Sequence, residues 1–113
     1  MKLITNRTEL EQLLAGDKPV VIDFYADWCG PCKALLPVLE AASNERGDEV
    51  VIAKVNVDHN PDLASEFGVT GIPRVFLMKE NTIVDQFSGV ESKSAIDKRI
   101  ENLLAATVQP HSH

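Results

Sequence analysis

One segment restricts the fold more than any other: Pro19-Val20-Val21-Ile22-Asp23-Phe24-Tyr25, a nearly unbroken apolar run of strand length. A strand with one wet face alternates apolar and polar residues. A continuous run instead describes a strand covered on both faces, as in a sheet with helices above and below it. Directly after it comes Ala26-Asp27-Trp28-Cys29-Gly30-Pro31-Cys32, leading into a helical pattern in which Leu35, Val38, Leu39 and Ala42 share one face. A buried strand handing over to a long helix is the signature of an α/β domain.

The flanking sequence continues that alternation. A weak strand near residues 2–5 leads to Asn6, a candidate N-cap with Glu9 three residues on. Leu10, Leu13 and Leu14 mark a first helix, stopped at Gly16. A third strand is read from Val50 to Val57, and Asn60-Pro61 opens a short helix with a cap and a first-turn proline, using Leu63, Ala64 and Phe67. Strands near 74–79 and 83–88 flank Glu80-Asn81 as an antiparallel hairpin. Because Glu80-Asn81 replaces an Asn-Gly type of turn, a looser hairpin is expected. A last helix from about Ser92 is expected to bury Ile96, Ile100, Leu103 and Leu104. The order is βαβαβ, then αββα: one central mixed sheet with helices on both faces. Residues 1–106 read as one domain, with 107–113 as a flexible tail.

The bulk properties exclude several classes of function. A net charge of −6 argues against nucleic acid and anionic membrane surfaces, which need clustered Lys and Arg. No stretch has the apolar length of a membrane span, and Met1 to Asn6 lacks a secretory pattern. A cytoplasmic monomer is therefore expected. In a reducing compartment two cysteines are more often catalytic or metal-binding than structural.

Pro31 suits the first turn of a helix, which leaves Cys29 at or just before the N-terminus, facing unpaired N–H groups and the positive end of the dipole. Such a site stabilises a thiolate. The benefit is modest. Lowering a thiol pKa by about 1.5 units raises the thiolate fraction at pH 7 roughly 16-fold and lowers nucleophilicity about 5-fold, a net gain of roughly 3-fold. The larger advantage is local concentration, with Cys32 one turn away and able to attack a mixed disulfide on Cys29. Two rival readings of the pair are a structural disulfide, worth only about 2 kcal/mol for so short a loop, and a zinc site. Zinc wants about four ligands, and only His59, His111 and His113 are available to complete a set.

The segment from Val21 to Lys33, with Trp28-Cys29-Gly30-Pro31-Cys32 at its centre, closely resembles the active-site segment of thioredoxins. Gly71-Ile72-Pro73 resembles that family's cis-proline loop, and Gly89 its glycine after the last strand. The similarity spans about residues 2–106. It implies a thioredoxin fold and the reduction of client disulfides by dithiol–disulfide exchange. It also implies that electrons come from NADPH through a flavin-dependent thioredoxin reductase and that clients are disulfide-containing proteins; no bound cofactor is expected, since the sequence has no Gly-rich nucleotide loop.

Asp23 is costly to ionise inside an apolar strand. The resemblance assigns it to proton transfer with Cys32, against the alternative of a carboxylate held by backbone amides. For Lys54 the default is a lysine snorkelling to water, whereas the family places it near the buried Asp. Pro73 alone suggests only a strand start. The resemblance adds a cis Ile72–Pro73 bond opposite the cysteines, with Ile72 backbone free to pair with a client strand. Trp28, Gly30, Ile72 and Gly89 are expected to form an apolar docking rim, with Pro31 and Gly71 beside it; a core Trp28 is the alternative. Arg74 departs from the pattern, since thioredoxins commonly carry Thr there. It either favours acidic clients or the Cys29 thiolate, or else points away into solvent, which is the default.

The remaining rivals are a thiol oxidant or isomerase of the same fold, and a binding module that docks through Trp28 and Ile72 without redox chemistry.

Overall fold

The computed structural model describes residues 1–108. The expected tail lies, from residue 109 onward, outside the described residues, and with it His111 and His113. Nine elements follow in the expected order: β1 (Lys2–Ile4), α1 (Arg7–Leu14), β2 (Val20–Tyr25), α2 (Gly30–Arg46), β3 (Val51–Asn56), α3 (Pro61–Glu66), β4 (Arg74–Lys79), β5 (Thr82–Ser88) and α4 (Lys93–Ala105). The strands form one five-stranded sheet in the order β1-β3-β2-β4-β5. β1, β3 and β2 run parallel; β4 is antiparallel to β2, and β5 to β4.

The sheet is mixed, as the element order implied, and β2 lies at its centre. The apolar run of β2 divides between the two faces by simple alternation. Val21 joins Ile52, Val75, Leu77 and Phe87 beneath α2 and α4, which contribute Leu35, Leu39, Ala42, Ile96, Ile100 and Leu103. Val20, Ile22 and Phe24 face the other way, with Ile4, Ala53, Val55, Phe76 and Met78, against Leu10 of α1 and Leu63 of α3. There the rings of Phe24, Phe67 and Phe76 meet with centroids 5.2 to 5.7 Å apart, the tilted and edge-on geometry that aromatic quadrupoles favour. Leu104 is only half-buried at the margin of the first layer.

Caps account for the helix boundaries, with two differences from the sequence reading. Asn6 accepts the Glu9 amide at 2.9 Å as expected, but the Glu9 carboxylate returns to the amide and hydroxyl of Thr5, not to Asn6. Asn60 occupies the N-cap position of α3 without capping it; its Nδ2 donates instead to the Asn56 carbonyl at 3.1 Å. The same carbonyl also accepts the Asn60 backbone amide at 3.0 Å, so the buried side-chain amide is satisfied at the end of β3 and not at the helix. Ser92 caps α4 through the Ala95 amide. At its other end, Lys79 donates to the carbonyls of Leu104 and Ala106 at 2.8 and 2.7 Å, satisfying last-turn acceptors.

The looser hairpin is not observed. Lys79 pairs directly with Thr82, and Glu80 and Asn81 both adopt positive φ, 51° and 61°. That is the two-residue turn whose twist matches the strands; sheet pairing on both sides holds Glu80 in a region its side chain disfavours.

Candidate active site

The helix–strand junction after β2 carries the sulfur pair. Cys29 is the N-cap residue of α2, in extended backbone, and Pro31 occupies the first turn. A disulfide joins Cys29 to Cys32, whose Cα atoms are 5.2 Å apart. The Cys29 Sγ accepts the Cys32 amide at 3.2 Å. One of the orphan N–H groups of the helix is therefore aimed at this sulfur, as the placement of Pro31 predicts. Both cysteines are 4% exposed, packed with Ala26 and covered in part by Tyr25, Val57 and Ile72.

Beneath the pair lies Asp23. Strand alternation puts it on the same face as Val21, the face covered by α2. It is 1% exposed, and its Oδ1 has no hydrogen-bond partner. The backbone-held carboxylate that the sequence left open is not found for that oxygen. Burial raises its pKa from 3.8 to about 7, against a smaller opposing pull from the Lys54 charge. A cavity of about 250 Å³ opens at this point, lined by Asp23, Cys32, Lys54, Tyr25, Asp27 and Leu36, with Lys33 and Ala26. Lys54 is the register partner of Asp23 on the neighbouring parallel strand. Its ammonium lies 5.4 Å from the Tyr25 ring centroid, within cation–π range. The geometry thus brings Asp23, Cys32 and Lys54 around one small space.

The opposite wall of the sulfur pair is the loop before β4. The Ile72–Pro73 bond is cis, and Ile72 packs against the cysteine cluster. The Pro73 carbonyl accepts the Gly89 amide at 3.1 Å, which binds the loop to the end of β5. Gly89 has φ of 81°, a conformation that residues with a Cβ adopt only at a cost. Gly30 and Gly71 have open space where a side chain would stand.

Trp28 is 70% exposed, so the core alternative is excluded. Its indole N–H donates to Asp58 Oδ2 at 2.8 Å. Asp58 follows β3, where Asn56 Oδ1 accepts the amides of Asp58 and His59 at 2.9 and 3.3 Å and turns the chain toward Trp28. The sequence reading missed Asp58 and Asn56. The available signal was an Asn-x-Asp turn after an apolar strand, with nothing in it to indicate which indole it would meet. Arg74 is half-buried. Its guanidinium lies 5.6 Å from the Phe76 ring centroid and donates to Ser88 Oγ at 3.0 Å and to Gln86 Oε1, so it does not simply project into solvent. Among the described residues, no three His, Cys, Asp or Glu side chains gather as a metal site requires, and no helix is long and apolar enough to cross a membrane.

Comparison with known proteins agrees with this geometry. The sequence model of the Thioredoxin family matches residues 2–102. A thioredoxin from Alicyclobacillus acidocaldarius is 42% identical over 94 residues, covering 83% of this chain and 90% of that protein. A thioredoxin from Chlorobaculum thiosulfatiphilum is 39% identical over 97 residues, covering 86% and 90%. Among solved structures, a mutant thioredoxin from Halobacterium salinarum superposes with a TM-score of 0.85 at 34% identity, covering 96% of this chain and 93% of that one. With a dithiol-forming pair at a helix N-terminus and relatives matched over nearly their whole length, the chain belongs to the thioredoxin family and is a protein-disulfide reductase.

Proposed function

We propose that residues 1–106 act as a cytosolic, monomeric carrier of reducing equivalents, recharged by a flavin-dependent, NADPH-consuming thioredoxin reductase. The observation that supports this reading most is the unpaired, buried Asp23 carboxyl sharing a cavity with Cys32. A structural disulfide or a docking module has no use for such a group, which costs stability when ionised.

In the reduced protein the Cys29 thiolate attacks one sulfur of a client disulfide. A bond forms between Cys29 Sγ and that sulfur, and the other client sulfur leaves as a thiolate that takes a proton from water. Cys32 then gives its thiol proton to the Asp23 carboxylate and attacks Cys29 Sγ. The mixed disulfide breaks, the second client sulfur leaves as a thiolate that takes a proton from water, the Asp23 carboxyl returns its proton to water, and two electrons have passed from the Cys29–Cys32 dithiol to the client. Lys54 sets the balance of protonation at Asp23 through its charge. Client backbone pairs with Ile72 beside Pro73 and Gly71, and Trp28, Gly30, Pro31 and Gly89 form the rim against which it rests. Recognition through main chain accepts many sequences.

The test is reduction of insulin with dithiothreitol as electron source, followed by the reductase-coupled assay with NADPH. Cys29→Ser is expected to abolish turnover, and Cys32→Ser to stop after one mixed disulfide, visible as a stable covalent adduct. Wild-type-like activity in a protein lacking both cysteines would refute the reading. A reduction potential near those of disulfide oxidants, about −120 mV, would favour the oxidant instead.

A further inference from the structure

The sequence contains four arginines, and three of them are bound to carboxylates: Arg7 to Glu66, Arg46 to Glu49, and Arg99 to Asp85 and Glu91. Arg74 has no carboxylate partner among the described residues. Its contacts are with neutral groups, Ser88 Oγ, Gln86 Oε1 and the Phe76 ring. Such contacts hold the guanidinium in position without compensating its charge. They use two of its five N–H donors and leave three, in the planar array that fits a carboxylate.

Its location gives that charge a use. Arg74 follows the cis Ile72–Pro73 pair directly, and its register partner Ser88 precedes Gly89. The sheet order puts β4 and β5 on one side of β2, with β3 and the loop carrying Asp58 on the other. A cation, Arg74, therefore starts the strand on one side of β2, and a carboxylate, Asp58, follows the strand on the other. In an extended chain, residues two apart share a face and lie about 7 Å apart. A client residue two positions from its cysteine stands in that relation to the attacked sulfur, and Arg74 lies two residues along the chain from Ile72, which packs against the cysteine cluster.

We propose that Arg74 is a specificity-determining residue, selecting client disulfides that carry Asp or Glu within about two residues of the attacked cysteine. The inference rests on the reading above, that clients are reduced in this groove while paired with Ile72. The preference is local. A chain of net charge −6 repels acidic proteins at long range, so an acidic residue far from the cysteine gains nothing.

The test uses the reduced, full-length protein and three synthetic peptides, each joined through one cysteine to a fluorescent thiol. One carries Glu two residues from the cysteine, one carries Lys there, and one carries Glu six residues away. Second-order rate constants for reporter release are measured at about 20 mM and about 500 mM salt, because the screening length falls from about 20 Å to about 4 Å and so separates ion pairing from packing. The near-Glu peptide is expected to react about fivefold faster than the Lys peptide at low salt, the scale of a partly exposed ion pair. The far-Glu peptide should show no such advantage. High salt should compress the ratio, Arg74→Gln should remove it, and Arg74→Lys should retain part of it. A near-Glu to Lys ratio close to one in the wild-type protein overturns the inference while leaving the reductase reading intact, as does an undiminished ratio in Arg74→Gln. Failure to reduce any of the peptides overturns the reductase reading, and the inference with it.

Discussion

A carboxyl in the middle of a buried strand either finds donors or is driven toward its neutral form, and Asp23 Oδ1 finds none. A pKa of about 7 suits a group that accepts a proton and returns it to water at neutral pH. The same displacement affects stability. In the unfolded chain Asp23 ionises near 3.9; in the folded protein it ionises about 3 units higher. Between those values the folded state binds more protons, so stability falls as pH rises from about 4 to about 7, by on the order of 4 kcal/mol. Asp23→Asn is expected to remove most of that slope and to be more stable than wild type at pH 8, measured by guanidinium unfolding of the oxidised protein. The substitution should at the same time slow resolution of the mixed disulfide. An unchanged pH profile of stability would mean that Asp23 is already neutralised by a partner. At Trp28, Asp58→Ala removes the acceptor for the indole N–H. The expected result is a loss of about 1 kcal/mol, with Trp28 fluorescence shifted and quenched differently.

At the scale of elements, α2 and the β4–β5 hairpin govern the site. α2 positions both sulfurs because its first turn is built from Gly30, Pro31 and Cys32 and its inner face from Leu35, Leu39 and Ala42. The hairpin positions the cis-proline loop by pairing Arg74 with Ser88, next to the bond between Gly89 and Pro73. Its turn is built from residues that do not favour it. Replacing Glu80-Asn81 by Asn-Gly should stabilise the protein by about 1 kcal/mol in urea unfolding, because both positions have positive φ. At the opposite end of α4, Ser92→Ala should cost about 1 kcal/mol through the lost bond to the Ala95 amide.

The whole molecule is one sheet sandwiched between two helical layers, and β2 and β4 supply side chains to both. Damage on either side is therefore felt by the same cooperative unit. Ile100→Ala beneath α4 and Phe76→Ala beneath α3 remove buried groups from opposite layers. Each is expected to lower stability by about 3 kcal/mol or more. Each should also shift a single denaturation transition with unchanged denaturant dependence, by fluorescence and circular dichroism alike. Two separate transitions would show that the layers fold independently.

Most of the architecture was legible in the chain because it depends on periodicity and punctuation, which are local. The run Val20–Tyr25, the helical spacing of Leu35, Leu39 and Ala42, and the caps Asn6 and Ser92 each declare an element. Pro31 between two cysteines declares where a sulfur meets a helix end. The errors were equally local in kind: Asn60 looked like a cap and Glu80-Asn81 like a loose turn, until competing partners across the fold decided otherwise. Only the tertiary structure decided which groups face one another. That Asp23 shares a cavity with Cys32 and Lys54, that Asp58 meets Trp28, and that Arg74 has neutral partners are products of strand order and crossover. The energies of those meetings depend on burial and distance, and the spacing of residues along a chain specifies neither.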